Sequence, residues 1–511
     1  MKTEGVFMID QIIQQLLNEA IHRGIIDPID EIYVRNQILS LLNLDDFHVQ
    51  ETSNLQNDVP VDPDLIIPEL LEKIVKYAVD HGIVDDYLDA KEIFSAKIMN
   101  CFLASPSVIN QRFYEKYENS PVLATDYFYQ LSKSSNYIQM NRIKKNIVFK
   151  VPTTYGNLDI TINLSKPEKD PKQIAKERSA PQKGGYPTCV LCIENEGYAG
   201  RIGHPARSNH RMIRMKIRGE EWYFQYSPYV YYNEHCILLS KDHRNMLISR
   251  ETFGRLLDFV ERFPHYFLGS NADLPIVGGS ILSHDHYQGG HYEFPMAVAE
   301  EEYSFSVQGF SNVTCSILKW PMSVIRLRSN KKDDVIELSD YILEKWKTYS
   351  DPFVEIIAFT GDTPHNTITP IARIRDGQYE MDLVLRNNRT SEEHPLGIFH
   401  PHKEVHHIKK ENIGLIEVMG LAVLPARLKN ELAEVGKFLC NQPNEIADFH
   451  LPWAEQLKQK YDGKINGKNV KKIIKVEVGN KFLQVLMDAG VFKRNTKGRA
   501  AFQRFIETLN N

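Results

Sequence analysis

The sequence predicts an α+β protein with helical parts at both ends and a sheet-rich middle, and three observations support this. Apolar residues recur at helical spacing from Met8 to about Leu103, and helical patterns return after Pro425. From Asn146 onward, alternating and β-branched segments favour strands. Helices alternate with strands through this middle region, as they do in α/β and α+β proteins. A chain of 511 residues is also too long for a single small core, so several parts are expected.

These changes of pattern divide the chain into four predicted parts. Residues 1–140 form a helical N-terminal extension, and residues 431–511 form a helical C-terminal part. Between them, residues 141–300 form a first sheet-containing half, and residues 301–430 form a second half that completes the functional site. The sequence shows no internal repeat.

Individual elements of the middle region follow from alternation and from helical periodicity. Strands are predicted at Ile147–Val151, Leu158–Leu164, Trp222–Tyr232, His235–Ser240, Ile281–Gln288, Val324–Leu327, Val354–Phe359 and Met381–Leu385. An amphipathic helix is predicted from Thr252 to Phe263, because its apolar residues form one stripe. A second helix is predicted from Ser339 to Tyr349, with Ser339 as its N-cap.

The composition narrows the classes of function. The formal net charge of −5 and a pI near 6.4 do not suggest a nucleic-acid-binding face, which is usually basic. The chain has no apolar run of about 18 residues and no signal-peptide pattern at its start, so we expect a cytoplasmic protein without a membrane span. Six cysteines in 511 residues are too sparse for a disulfide scaffold.

One pair of cysteines has the spacing of a metal half-site. Two thiolates in Cys189-x-x-Cys192 can bind one zinc ion, which needs two further nitrogen or sulfur ligands. Candidates for these are His243, which follows a predicted strand, and His284. The alternative is a pair of buried cysteines without metal, and a redox role is weaker because no thioredoxin-like context follows.

The segment Ser283–His291 concentrates the chemistry-bearing residues. On a strand, His284, His286 and Gln288 share one face, while Asp285 and Tyr287 lie on the other. The neutral imidazole of His286 can act as a nucleophile toward phosphorus. The Gln288 amide can donate to a phosphoryl oxygen but does not readily activate water. Any single histidine here could instead be a hydrogen-bonded structural residue.

These residues carry a resemblance to a known family. His284-Asp285-His286-Tyr287-Gln288 resembles the H-x-H-x-Q motif of galactose-1-phosphate uridylyltransferases, a transferase branch of the histidine-triad superfamily. The longer segments Gly278–His291 and Cys189–Tyr198 resemble its second, Firmicutes-type class. The resemblance implies a histidine-triad-like mixed or antiparallel sheet core with covering helices.

The resemblance also implies a role for each matching residue. In the family, the second histidine of the motif carries the uridylyl group and the glutamine holds that intermediate, which implies these roles for His286 and Gln288. The resemblance implies that a structural zinc ion is bound by Cys189, Cys192, His243 and His284. It implies substrate contacts at Asn271 and Ser280.

The chain departs from the better-studied class of the family at several positions. Asp285 stands where that class has proline, and Lys166 and Lys169 lie where it has two phosphate-binding arginines. Lysine offers charge without bidentate geometry. Arg373 and Arg386, near later strands, are further candidates for phosphate binding. A second metal near His365 or near the cluster His400, His402, His406 and His407 is left open.

The implied activity is transfer of UMP from UDP-glucose to galactose 1-phosphate by a ping-pong mechanism. No organic cofactor is expected, and a homodimer is implied by the resemblance alone. One alternative is another nucleotidyltransferase or a hydrolase of the same superfamily, although Gln288 stands where hydrolases often carry a third histidine. The other alternative is a noncatalytic, zinc-stabilised nucleotide-binding protein.

Overall fold

Helices make up the described chain ahead of the first strand, as the apolar spacing predicts. A computed structural model describes residues 2–48, 62–165, 185–279 and 281–510. The N-terminal helices are α1 (Lys2–His22), α2 (Glu31–Leu41), α3 (Pro63–Asp80), α4 (Leu88–Asn100), α5 (Pro106–Asn119), α6 (Pro121–Ser134) and α7 (Met140–Ile143). The first four helices share a core that includes the fully buried Leu16, Ile38, Ile74 and Ile98. Proline is the first residue of α3, α5 and α6, where its missing N–H costs nothing.

A ten-stranded antiparallel sheet forms the centre of the protein. The strands of the chain are β1 (Ile147–Thr153), β2 (Gly156–Ile162), β3 (Ile213–Ile217), β4 (Glu220–Tyr226), β5 (Cys236–Ser240), β6 (Phe267–Gly269), β7 (His286–Gly290), β8 (Glu301–Phe305), β9 (Thr314–Leu318), β10 (Val324–Ser329), β11 (Phe359–Thr360), β12 (Thr363–Pro364), β13 (Asn366–Arg375), β14 (Gln378–Asn387) and β15 (Leu421–Leu424). The large sheet has the order β3-β4-β5-β7-β6-β13-β14-β10-β9-β8. The α+β class predicted from the sequence is confirmed.

The large sheet consists of two halves with the same topology. Strands β3 to β7 are arranged 3-4-5-7-6, and the second half is arranged 8-9-10-14-13 in the same pattern. In each half one helix follows the third strand: α8 (Arg250–Arg262) in the first and α9 (Lys332–Thr348) in the second. The halves meet where β6 pairs with β13, at Gly269–Ile371 and Leu268–Ala372. The repeat is therefore one of structure that the sequence does not reveal.

Both helices cover the same face of the sheet. The predicted stripe of α8 is buried, with Phe253, Leu256, Leu257 and Val260 at 0% exposure. Trp346 of α9 is equally buried in the same core. Burial of large apolar side chains of this kind contributes about 1.5–3 kcal/mol each to stability.

The opposite face differs between the two halves. Over the second half it is covered by the three-stranded sheet β1-β2-β15 and by C-terminal helices. These helices, with one short turn before β15, are α10 (Leu415–Val418), α11 (Leu428–Leu439), α12 (Leu451–Tyr461) and α13 (Val470–Ala489). The last helix, α14 (Thr496–Thr508), packs instead against α9, where Phe505 contacts Trp346. Gly479 lets α13 approach β1 closely, because a Cβ there would lie 2.5 Å from Val151. Over the first half this face carries the polar motif residues.

Several element predictions are wrong in detail. The strand expected at Val354–Phe359 is a 3-10 turn followed by Glu355 at φ +65°, and only Phe359 joins a two-residue strand. Ser339 does not cap its helix, which begins at Lys332; its buried hydroxyl donates to the carbonyl of Val335 at 2.6 Å.

Strand boundaries and polar strands account for the other differences. The strand expected from Ile281 begins only at His286, because Leu282 and Asp285 bond instead to the loop after β5, through Met246 N–H and Arg244 C=O. Strand β13 was not predicted, since Pro370 and its polar residues argue against a central strand.

A buried ion-pair network crosses the covered face of the second half. Arg326 donates two hydrogen bonds to Asp382, at 2.7 and 2.8 Å, and Arg373 donates to Asp382 at 2.7 Å and to Glu380. Burial alone would raise the pKa of Asp382, but the two guanidinium groups lower it to about 2. The carboxylates are fully buried, so their charge depends on these arginines.

We expect Asp382→Leu to lower the free energy of unfolding by about 3–5 kcal/mol, because it leaves buried guanidinium charge uncompensated. Urea denaturation followed by circular dichroism measures the change. The matched variant Arg326→Met/Asp382→Leu keeps the Arg373–Glu380 pair and should lose less stability than Asp382→Leu alone. A double variant that is less stable than the single one would contradict this assignment.

Candidate active site and metal centre

Strand β7 places His286 and Gln288 on the face of the first half that lies opposite to α8. Their cross-strand partners on β5 are Leu239 and Ile237, and Gly269 of β6 lies opposite Gln288. Residues two apart on a strand share a face, so the imidazole and the amide lie side by side. His284 precedes the strand, but it turns toward the same side, where the metal cluster lies.

Asp285 and Tyr287, which alternate with the motif residues, stabilise the motif through buried contacts on the opposite face. Tyr287 is buried and stacks on Trp222, with ring centroids 5.1 Å apart. Asp285 is buried and accepts a hydrogen bond from Arg244 at 3.2 Å, and Arg255 lies at 4.0 Å. Asp285, which stands where the better-studied class has proline, therefore forms a structural ion pair with Arg244 in this chain.

His286 is held with one ring nitrogen committed. Its Nδ1 donates to the carbonyl oxygen of His284 at 2.7 Å, which leaves the lone pair on Nε2. The side chain is 5% exposed, and burial lowers its pKa to about 4, with the backbone hydrogen bond acting in the opposite direction. A neutral imidazole with a free Nε2 has the protonation state of a nucleophile.

Gln288 has one partner among the described residues, a histidine that the sequence analysis did not single out. Its Oε1 lies 3.1 Å from Nε2 of His235, a 2% exposed residue immediately before β5. Burial lowers the pKa of His235 to about 4, although the hydrogen bond to Gln288 opposes this shift. No local signal marks His235, because its contact depends on the register of β5 and β7.

Two cysteines and two histidines converge on one point. The sulfur atoms of Cys189 and Cys192 are 3.2 Å apart; Cys189 Sγ is 3.3 Å from His284 Nδ1, and Cys192 Sγ is 3.2 Å from His243 Nδ1. All four donor atoms lie within 4.8 Å of one another. The four residues predicted as ligands are thus brought together, and their donor set suits a tetrahedral metal ion.

Neighbouring groups orient these donors. His284 Nε2 donates to the carbonyl of Ser240 at 2.8 Å, which leaves Nδ1 free to bind a metal. Burial raises the pKa of the Cys189 thiol, but hydrogen bonds with His284 and Cys192 outweigh it and bring the pKa to about 7. A thiolate is the form that binds metal.

The four candidate ligands bring a long loop next to the sheet, because the two cysteines lie on the loop and the two histidines follow or precede strands. Beside these ligands, a small apolar cluster joins the loop to the face of the sheet that carries His286. Met212 and Ile193 of the loop pack there against Tyr223, Leu239 and Ile237 of the sheet. Because Leu239 is also the cross-strand neighbour of His286, the loop lies next to the candidate nucleophile.

Asn271 links the glycine-rich lead-in to a distant turn. Its Oδ1 accepts from the N–H of Leu415 at 2.8 Å, and its Nδ2 lies 2.7 Å from where a Cβ on Gly279 would be. Gly414 is equally close, since its Cβ would lie 2.9 Å from Asn271 Oδ1. The glycines therefore let two backbone segments close around this amide.

Arg386 and Arg373 have very different surroundings. Arg373 is paired with Glu380 and Asp382. Arg386 is 1% exposed and donates to the carbonyl of Ile413 at 2.8 Å, and its Nε has no partner. In the described part of the chain no carboxylate lies within ion-pair distance of it. Burial lowers its pKa to about 10, with an opposing contribution from Glu417.

The remaining site predictions have separate outcomes. Ser280, Lys166 and Lys169 lie outside the described residues. His291, for which the sequence suggested no role, lies 3.5 Å from Glu234 through its Nδ1, and its carbonyl accepts from Asn233. None of the described helices combines the length and the apolar character needed to cross a lipid bilayer.

Comparison with known proteins shows similarity over almost the whole chain. Two family models match: galactose-1-phosphate uridyl transferase, N-terminal domain, over residues 24–245, and galactose-1-phosphate uridyl transferase, C-terminal domain, over residues 259–455. A galactose-1-phosphate uridylyltransferase of Clostridium perfringens (strain 13 / Type A) is 51% identical over 510 residues, covering 99% of this chain and 100% of that protein.

Further relatives carry the same name. The Clostridium acetobutylicum protein is 52% identical, covering 98% of this chain and 100% of that protein, and the Streptococcus pneumoniae (strain Hungary19A-6) protein is 50% identical, covering 98% and 99%. Among solved structures, yeast Ap4A phosphorylase matches with 12% identity, coverage of 69% of this chain and 93% of that chain, and a TM-score of 0.32. The last likeness is too distant to support an argument.

We expect purified protein to contain one metal ion per chain at this cluster, and Cys192→Ser to remove it, because the serine hydroxyl is a much weaker ligand. Elemental analysis by mass spectrometry measures the metal, and thermal unfolding should shift to lower temperature in the variant. The control is Cys101→Ser, whose sulfur lies in the N-terminal helical part, outside the cluster. Equal metal content in Cys192→Ser and wild type would refute the site.

Proposed function

This chain belongs to the galactose-1-phosphate uridylyltransferase family, and we propose that its His286 carries the UMP group from UDP-glucose to galactose 1-phosphate. The observation that carries the proposal is the imidazole itself. It is buried and neutral, its Nδ1 donates to the His284 carbonyl, and its Nε2 has no partner among the described residues. These are the requirements of a nitrogen nucleophile in group transfer.

The reaction then proceeds in two balanced displacements. His286 Nε2 attacks the α-phosphorus of UDP-glucose, a P–N bond forms, and the P–O bond to glucose 1-phosphate breaks. The leaving group departs as a phosphate anion, so it needs little protonation. Galactose 1-phosphate next attacks the same phosphorus through a phosphate oxygen, the P–N bond breaks, and UDP-galactose leaves with neutral His286 restored.

Anion binding supplies the rest of the catalysis. The amide of Gln288 donates to a phosphoryl oxygen as charge develops there, and such preorganised donors typically contribute about 100- to 1,000-fold in rate. The buried guanidinium of Arg386, with no carboxylate within ion-pair distance among the described residues, is suited to a phosphate group. Asn271, whose Oδ1 accepts from Leu415 N–H, is proposed to contact the nucleotide on the resemblance.

Other predicted contacts remain predictions. Ser280, Lys166 and Lys169 are proposed to face the substrate phosphates on the resemblance of their segments. A substrate role for Arg373 is less favoured than one for Arg386, because Glu380 and Asp382 already balance its charge. A homodimer is likewise proposed from the resemblance, and a cytoplasmic location remains a prediction from the sequence.

Zinc is the metal we propose for the cluster of Cys189, Cys192, His243 and His284. Two thiolates and two imidazoles match its preferred donors, and four protein ligands leave no open position, as in structural sites. Bound there, zinc would cross-link the loop to the sheet and would take no part in the transfer. The chain's own contribution is the His284 carbonyl, which orients His286.

The proposal predicts a covalent adduct. Incubation with UDP-glucose labelled in its uridylyl group, without a second substrate, should yield about one acid-labile label per chain. His286→Asn should abolish this label, because the amide nitrogen of asparagine is not a nucleophile. Intact-protein mass spectrometry at neutral pH measures it.

The control variant is His291→Asn, which changes a histidine five residues away whose contacts are with Glu234 and Asn233. It should label like the wild type. A label that persists in His286→Asn would rule out this nucleophile. Wild-type protein that binds UDP-glucose tightly without label or phosphate exchange would support a noncatalytic nucleotide-binding protein.

A further inference from the structure

We propose that His235 is a positioning residue, which fixes the amide of Gln288 so that its nitrogen faces the substrate phosphate. The inference rests on the proposed function of Gln288, and it adds a residue outside the H-x-H-x-Q motif. The contact that carries it joins His235 Nε2 and Gln288 Oε1 at 3.1 Å, across the paired strands β5 and β7.

His235 is itself held rigidly. Its carbonyl accepts from Ser227 N–H at 2.8 Å, and its N–H donates to the carbonyl of Tyr232 at 3.2 Å. Its ring lies beside the rings of Tyr232 and Tyr231, with centroids 4.5 and 5.5 Å away. With 2% of its surface exposed, the imidazole has no room to turn, so it can act as a fixed reference for a neighbouring side chain.

The two glycines after Gln288 allow this approach. A Cβ on Gly290 would lie 2.7 Å from the carbonyl oxygen of Glu234, and one on Gly289 would lie 2.4 Å from that of Phe267. The absence of a side chain at Gly290 therefore lets the turn ahead of β5 approach β7, and its absence at Gly289 lets β6 approach from the other side. Tyr232 completes the junction by donating to the carbonyl of Gly289 at 3.0 Å.

The tautomer of His235 decides which end of the amide it binds. Its Nδ1 is buried and has no partner among the described residues. If Nδ1 carried the proton, a buried N–H donor would stay unpaired, which is unfavourable. The proton therefore resides on Nε2, and protonation of both nitrogens is opposed by burial.

An Nε2–H donor requires an acceptor, so the oxygen of the Gln288 amide faces His235. The amide nitrogen then faces away, and in the described part of the chain no group accepts from it. A phosphoryl oxygen beside His286 would be that acceptor. Without His235 the amide can rotate by a half-turn and present its oxygen, which repels a phosphate.

The test is single-turnover labelling of His286 from UDP-glucose in His235→Gln and His235→Asn. Glutamine can place a donor near the position of Nε2, whereas asparagine reaches only that of Nδ1. We expect Gln to retain most of the labelling rate and Asn to lose about 100-fold, the usual effect of losing one transition-state donor. Equal rates in the two variants would overturn the proposal.

A double-mutant comparison separates positioning from general damage. His235→Asn should add no further loss to Gln288→Ala, because the amide that it orients is already absent. The matched control is His210→Asn. His210 makes a similar buried contact on the same sheet, Nε2 to Gln225 Oε1 at 2.6 Å, and its Nδ1 is also unpartnered. Its effect on the rate should be the same with and without Gln288.

The outcomes distinguish this inference from the proposed function. Wild-type protein without label would refute the transfer mechanism itself. Labelled wild type, with His235→Asn losing as much in the Gln288→Ala background as alone, would refute the positioning role while the transfer mechanism stands.

Discussion

The hydrogen bond from His286 Nδ1 to the carbonyl of His284 is the interaction on which the site depends. It joins two side chains with different tasks through one stretch of backbone. His284 directs its Nδ1 toward the two cysteines and accepts at its carbonyl from His286, the proposed nucleophile. The loop that carries Cys189 and Cys192 is therefore connected to the His286 ring through His284. The backbone of the fold thus sets the tautomer of His286, with the proton on Nδ1.

The two halves of the sheet use the same architecture for different purposes. In the first half, one face carries the neutral polar side chains of His286, Gln288 and His235. In the second half, the matching face carries the Arg326–Asp382 network and is covered by a second sheet and helices. Charge that is balanced within the chain has no capacity left for a phosphate. Arg373 and Arg386 differ in this respect. Glu380 and Asp382 balance the charge of Arg373, whereas Arg386 has no carboxylate partner among the described residues.

The sequence predicts what is local and misses what depends on register. The sequence predicts the two ligand candidates Cys189 and Cys192 and the motif around His286, because the spacing of these residues is informative by itself. The class of fold and the stripe of α8 follow from periodicity. His235 is not predictable in this way, since its contact requires Ile237 to lie opposite Gln288. The strand β13 is missed because its polar residues are satisfied by partners that only the folded chain supplies, such as Asn366 Nδ2 donating to the carbonyl of Trp346.

The short distance between Cys189 and Cys192 has a consequence for how the protein responds to oxidation. Their sulfur atoms are 3.2 Å apart, and one thiol has a pKa of about 7. When a metal ion holds both sulfurs, neither is free to react. After the metal is lost, dissolved oxygen can oxidise the pair to a disulfide, since a thiolate and a second sulfur are already adjacent. That product cannot bind metal again until it is reduced. Loss of the ion therefore becomes a lasting change in air and a reversible one under a thiol reductant.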